Sequence, residues 1–198
     1  MLPKTPNQVL LMKKLLDMRK PITVVVGPAG WGQTLFACHV AAHRASLNKL
    51  NKIIVTRPTV SVDEDLGFLP GKIEHKMEPW LKPMFEIFEK ERVHKMVEIV
   101  PMSFMRGRTF KNSFIIADEM QNSTPNQMKM ILTRIGEDSK MVINGDLTQS
   151  DLRTHTNGLH DILKRIGYRD DLVYIDQLVL SSEDVQRHPA VSEVLSIY

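Results

Sequence analysis

The chain has 198 residues, 42% of them hydrophobic and 25% charged, with 10 Gly and 11 Pro. That composition suits one compact domain over residues 1–198 and excludes a disordered or low-complexity chain. The 26 basic and 23 acidic residues leave a net +3, which permits nucleic-acid contact without arguing for it, and the lone Cys38 excludes an intrachain disulfide. Apolar runs such as Ile22–Val26 are strand-length, so no membrane span is expected. The Lys-rich pattern after the first residues does not read as a secretory signal, and a cytoplasmic protein is the simplest reading.

In chain order, Thr5-Pro6-Asn7-Gln8 opens a helix to about Met18, with Thr5 as cap and Gln8 three residues on. Pro21 ends it, and the β-branched run Ile22–Val26 forms a strand. A glycine-rich turn, Gly27–Gly30, leads towards a helix over Leu35–Leu47. Lys52–Thr56 is a strand stopped by Arg57-Pro58. Residues 61–71 read as an acidic loop. A helix follows to about Val93, interrupted by Pro79 and Pro83. Val97–Val100 and Phe114–Ala117 read as strands, the latter ending in Asp118-Glu119. Pro125–Arg134 is helical, with Gly136 as its stop. Met141–Asn144 is a strand ending at Gly145-Asp146. Leu159–Ile166 reads as helix, Leu172–Ile175 as strand, and His188-Pro189 opens a last helix to Tyr198.

Apolar runs without alternation imply strands buried on both faces, hence a mostly parallel sheet between helices, an α/β fold. Ligands of such sheets bind at the carboxyl ends of strands. The polar clusters Gly27–Thr34, Asp118-Glu119 and Gly145-Asp146 all fall at those ends.

Gly27-Pro28-Ala29-Gly30-Trp31-Gly32-Gln33-Thr34 follows a strand and precedes a helix. It fits the phosphate-binding loop G-x-x-x-x-G-K-[ST] except that Gln33 stands where lysine is expected. The glycines let backbone N–H groups curl around an anion, and Thr34 would reach Mg²⁺. Gln33 brings an amide dipole where lysine brings a full charge. Asp118 after four apolar residues suits a Mg²⁺ ligand, and Glu119 suits activation of the attacking water. The plainer readings are a glycine-rich turn with no ligand and an acidic helix cap. His39 and His43 share a helix face, but nothing beside them completes a zinc-type set.

The sequence resembles the PhoH family of P-loop ATPases, related to the motor domains of superfamily-one helicases. The resemblance runs over nearly the whole chain. It is carried by Thr5–Gln8, Gly27–Thr34, Thr56-Arg57-Pro58, the segment 66–71, Met105–Thr109, Ile116–Asn122, the segment 145–152 and Arg187-His188-Pro189. Gln33 and Trp31 depart from the family pattern, both within the nucleotide loop.

The resemblance implies a three-layer RecA-like P-loop NTPase fold with ATP and Mg²⁺ as ligands. Gln8 would read the adenine edge, although it equally suits the helix cap. Gln149 would sense the γ-phosphate. Arg187 would act on a phosphate in cis, or on a neighbouring subunit's site as an arginine finger. Arg57, Arg106 and Arg108, with Phe104 and Phe110 nearby, suit the backbone and bases of single-stranded RNA, and equally a solvated face. A lone motor domain lacks the second lobe that completes a monomeric helicase site. A homo-oligomer is therefore expected, and the family suggests a hexameric ring. A second reading is a nucleotide-binding or scaffold protein without turnover. An intermediate one lets Lys20 or Lys111 supply the missing charge.

Overall fold

The computed structural model describes residues 2–28, 30–58, 73–150 and 157–180, together with Glu193 and Ile197, and gives the backbone alone for 73–80. Helix α1 spans Pro6–Leu16, and the Thr5 hydroxyl caps it by accepting the Gln8 N–H at 3.2 Å. Strand β1 (Ile22–Val26) is five β-branched residues, all buried. After it come α2 (Gln33–Ser46), β2 (Lys52–Thr56), α3 (Ile73–Lys90), β3 (Val97–Ile99) and β4 (Ser113–Ala117). The chain continues through α4 (Pro125–Leu132), β5 (Lys140–Gly145), α5 (Gly158–Gly167) and β6 (Ile175–Val179). Short 3₁₀ turns lie at Met102–Met105 and Met120–Asn122.

All six strands are parallel, in the order β3-β2-β4-β5-β1-β6. Alternate side chains feed two cores. Val25, Ile53, Val55, Phe114, Ile116 and Val142 pack towards α1, α2 and α3. Val24, Ile54, Ile115, Met141 and Ile143 pack towards α4, α5 and the two 3₁₀ turns. The result is the three-layer α/β arrangement expected from unbroken apolar strands. Strand β5 lies between β1 and β4, with Val26 opposite Gly145 and Ala117 opposite Ile143. The phosphate-loop strand and the acidic strand are therefore not neighbours, and the end of β5 fills the gap between them. No helix among the described residues is long and apolar enough to cross a membrane.

Several expectations about elements need correction. Helix α3 runs unbroken through Pro79 and Pro83. Each proline removes one ladder donor at about 3 kcal/mol, and the two lie four residues apart, so both losses fall on one face. Burial of Leu81, Met84 and Phe88 against the sheet holds the helix together regardless. The sixth strand lies at Ile175–Val179 and not at Leu172–Ile175. Asp176 and Gln177 hide it, because an edge strand tolerates polar residues that a buried one excludes; Asp176 is bonded to Lys14 at 2.7 Å. Gly136 does not stop a helix, since α4 ends at Leu132. It lets two chain segments meet: a Cβ there would lie 2.7 Å from the Phe110 carbonyl. The acidic loop at 61–71 and the last helix, Glu193 and Ile197 apart, lie outside the described residues.

Candidate functional site

The loop after β1 is shaped by its glycines. Gly30 and Gly32 take φ of 87° and 89°, a left-handed backbone that other residues adopt only under strain. Gly32 is the N-cap of α2 and brings no side chain to that end of the helix, so it offers its first-turn N–H groups no internal acceptor. Gly27 lies so close to Leu180 that a Cβ would meet its Cβ at 2.7 Å, and its N–H donates to the Gly145 carbonyl at 3.2 Å. Ala29 lies outside the described residues. Trp31 turns inward: it is 1% exposed, its ring packs 6.1 Å from Phe36, and its Nε1 has no partner. Only its backbone is left for the cradle, and the indole does not seal it.

Beside this loop is a cleft of about 300 Å³, lined by Gly30, Gly32, Gln33, Thr34, Leu35, Pro83, Asp118, Glu119, Gly145, Asp146 and Gln149. The Thr34 hydroxyl donates to Asp118 Oδ1 at 2.7 Å, joining two motifs that are far apart in sequence. Gln33 Nε2 lies 3.5 Å from the Gly145 carbonyl, and its Oε1 is buried without a partner. Glu119 holds φ 54°, a left-handed backbone unusual outside glycine, and its Oε2 accepts from Gln121 Nε2 at 2.6 Å. Among the described residues the lining contains three carboxylates, Asp118, Glu119 and Asp146, and no lysine or arginine. No group of three or more His, Cys, Asp or Glu among the described residues could hold a metal alone. A hydroxyl and one carboxylate do fit Mg²⁺, which takes few protein ligands and completes its shell with phosphate and water.

Burial pushes the Asp118 carboxyl up to about 6; the Thr34 hydrogen bond opposes this, the Glu119 charge adds to it, and Arg57 also opposes it. The folded chain therefore holds this proton more tightly than the unfolded one. For the empty chain, stability at this group falls as pH rises from about 4 to 6. Metal binding needs the carboxylate. Affinity for Mg·nucleotide is expected to weaken towards tenfold per unit as pH falls below about 6. Titrations at pH 5, 6 and 7 check this, and in Asp118→Asn the pH dependence should vanish along with most of the affinity.

Against known proteins, the family model described as PhoH-like protein matches residues 1–198. A PhoH-like protein of Mycobacterium bovis is 40% identical over 211 aligned positions, covering 99% of this chain and 57% of that protein. Protein PhoH of Escherichia coli K12 is 39% identical, covering 90% of this chain and 53% of its own. The chain belongs to the PhoH family. This PhoH chain thus spans a little over half the length of the curated relatives it matches. Among solved structures, the Pif1 helicase of Candida albicans aligns over 100% of this chain and 43% of its own, with TM-score 0.51 and 12% identity. That likeness concerns the fold alone: the PhoH chain shares the α/β architecture of part of that protein.

The other residues singled out in the sequence fall as follows. Gln8 is buried and does not line the cleft; its N–H donates to the Thr5 hydroxyl at 3.2 Å, while its Oε1 accepts the N–H of Lys4 at 2.6 Å, one residue before the cap, and not that of Thr5 as a capping box requires. Gln149 lines the cleft on the turn after β5. Arg57 follows β2, close enough for its charge to act on Asp118. Arg108 is committed elsewhere: it donates to Glu98 at 2.6 Å and lies 4.6 Å over the Phe110 ring. Arg106 and Phe104 are exposed. Phe104 and Arg108 border a second cleft of about 440 Å³ along the edge strand β3. Arg187 lies outside the described residues.

Neither lysine considered as a substitute stands at the cleft. Lys20 precedes β1 and donates to the Leu172 carbonyl at 2.9 Å, while Lys111 precedes β4 and pairs with Glu137 at 3.1 Å. Both sit at the amino ends of the strands, opposite the loop.

Two polar residues of the site escape a motif reading. Asn144 is fully buried on β5, one residue beyond the Ala117–Ile143 pair and so beside Asp118, and both its amide atoms lack partners. A buried amide left this way is one that a water or ligand satisfies. Gln121 bonds three parts of the site at once. A polar residue at the end of an apolar strand was the only available signal for Asn144, and Gln121 had none beyond its place in a matched segment.

Proposed function

We propose that the chain binds Mg·ATP in the cleft beside Gly27–Thr34 and hydrolyses it slowly, as one RNA-directed motor domain of a cytoplasmic ring. The observation that carries this reading is the 2.7 Å contact between Thr34 and Asp118. It unites the loop and the acidic strand end at one cleft, as a metal-bound triphosphate requires. The N–H groups around Gly30 and Gly32 and the amino end of α2 would hold phosphate oxygens. Thr34 and Asp118 would hold Mg²⁺, which when bound offsets the charge of the β- and γ-phosphates. Glu119 would take the proton of the attacking water, and Gln149 would contact the γ-phosphate. Arg187, from the same or a neighbouring subunit, would stabilise charge on the transferred group. Gln8 would serve as the adenine contact if the bond from Lys4 to its Oε1 yields.

Gln33 in the lysine position, beside three lining carboxylates, favours a second reading, a binder without turnover. Phosphate release and Mg·ATP binding by the chain and by Glu119→Gln separate the two. The hydrolase reading expects Glu119→Gln to lower release by at least a hundredfold with affinity within threefold. The binder reading expects no release from either. No nucleotide binding at all rules out both. For RNA, exposed Arg106 and Phe104 are the contacts expected to matter. Arg106→Ala with Phe104→Ala should weaken salt-dependent binding of single-stranded RNA about tenfold or more, with Arg108→Ala adding less. Affinity unaffected by salt or by these changes removes the RNA half.

A further inference from the structure

Gln121, in the 3₁₀ turn after Glu119, is 1% exposed. Its Nε2 donates to Glu119 Oε2 at 2.6 Å and to the Gln149 carbonyl at 3.2 Å. Its Oε1 accepts the Asp146 N–H at 3.1 Å, and its own carbonyl accepts the Ser150 hydroxyl at 3.1 Å. Only one orientation of the amide satisfies this set. Turned over, its NH₂ would face an N–H and its oxygen would face a carboxylate.

The close approach depends on residue 145. A Cβ at Gly145 would lie 2.6 Å from Gln121 Oε1 and 3.1 Å from its backbone nitrogen. On its other side, the Gly145 carbonyl accepts the Gly27 N–H at 3.2 Å and lies 3.5 Å from Gln33 Nε2. A continuous line of contacts therefore runs from the phosphate loop through Gly145 and Asp146 to Gln121, and ends on Glu119.

We propose that Gln121 is a positioning residue that ties the Glu119 carboxylate to the turn after β5, so that displacement of the Gln149 turn by a bound phosphate re-aims Glu119. This rests on reading Glu119 as the base, and it names what holds that base. Both hydrogens of one NH₂ group are shared between the carboxylate and the turn, so neither partner moves without changing the bond to the other. The bond to the carboxylate is charge-assisted and the stronger of the two. Glu119 therefore follows the amide, and the amide follows the turn. Only hydrogen bonds change.

Two variants of the full chain separate the amide's two ends. Gln121→Met keeps its length and removes every side-chain bond. Gln121→Glu keeps an acceptor for Asp146 and removes both donors. Hydrogen exchange of the Asp146 amide should accelerate at least tenfold in Gln121→Met and stay within threefold in Gln121→Glu. Phosphate release should fall at least tenfold in both, with Mg·ADP affinity within threefold, whereas a merely structural role would move rate and affinity together.

A nucleotide-free cycle decides the coupling whether or not the chain turns over ATP. Glu119→Ala should change Asp146 exchange at least threefold in the native background and not at all in Gln121→Met. Additive effects, or unchanged exchange in Gln121→Met, overturn the proposal. Loss of affinity parallel to rate overturns it as well. Absence of phosphate release from the native chain defeats only the hydrolase reading and leaves the cycle to judge this one.

Discussion

Replacing Gln33 with lysine is expected to tighten Mg·ATP binding about tenfold and to raise phosphate release by about 10²–10³. Charge-assisted hydrogen bonds contribute about 1.5–3 kcal/mol against about 1 for neutral ones, which sets the binding gain. The larger rate gain follows because charge on the transferred group grows in the transition state, where a fixed cation acts most strongly. Local geometry favours the exchange. Among the described residues Gln33 makes a long contact, 3.5 Å to the Gly145 carbonyl, and its buried Oε1 is without a partner. That oxygen is an acceptor on the wall of the cleft proposed for the triphosphate, and a lysine removes it. Because Lys20 and Lys111 are bonded at the far edge of the sheet, no other lysine considered already supplies the charge. Isothermal titration and a phosphate-release assay on both chains measure the two effects. Equal rates above zero in both would show that the reaction proceeds without a cation at this position.

A second large effect is expected far from the cleft. Lys140 opens β5, is 1% exposed, and donates to three carbonyls at the end of α1: Lys14 at 2.8 Å, Asp17 at 3.0 Å and Lys20 at 2.5 Å. These carbonyls belong to the last turn of α1 and the link that follows it, groups that a helix leaves unsatisfied. Lys140→Met keeps the packing volume and removes all three donors. Stranding buried acceptors costs about 1–3 kcal/mol each, reduced where water enters, so a total near 3–5 kcal/mol is expected. For a chain of this size that lowers the melting temperature by about 10 °C or more. Calorimetry of the two chains checks it. A drop under about 3 °C would mean that water replaces the ammonium and that α1 is seated by its apolar face and the Lys14–Asp176 pair.

Much of the fold was legible because its central strands are mostly apolar. Ile22–Val26 and Phe114–Ala117 have no polar face, so a parallel, doubly covered sheet followed directly. The misjudged elements are those in which tertiary burial outweighs local propensity, as in α3 with its two prolines, or in which an edge position admits polar residues, as in β6. At the site, spacing revealed Thr34 and Asp118 because each motif is local and ends a strand. Gln121 and Asn144 could not be found that way. Their importance lies in partners, or in the lack of them, and these depend on which strands become neighbours. Gln8 shows the reverse case: one residue suited two local readings, and its side chain bonds Lys4, a partner neither reading named.

The strand order also bears on how the chain is made. β1 has only β5 and β6 as neighbours, with Val24 opposite Ile143 and Gln177. On a ribosome the segment 22–26 emerges before β5 and β6, so both of its hydrogen-bonding edges stay open until residues near 145 and then 179 have left the exit tunnel. β2, β3 and β4 can pair before that. Nascent chains stalled before β5 should therefore carry an assembled outer half-sheet and an exposed β1, a window in which a holdase chaperone would find the five-residue segment Ile22–Val26.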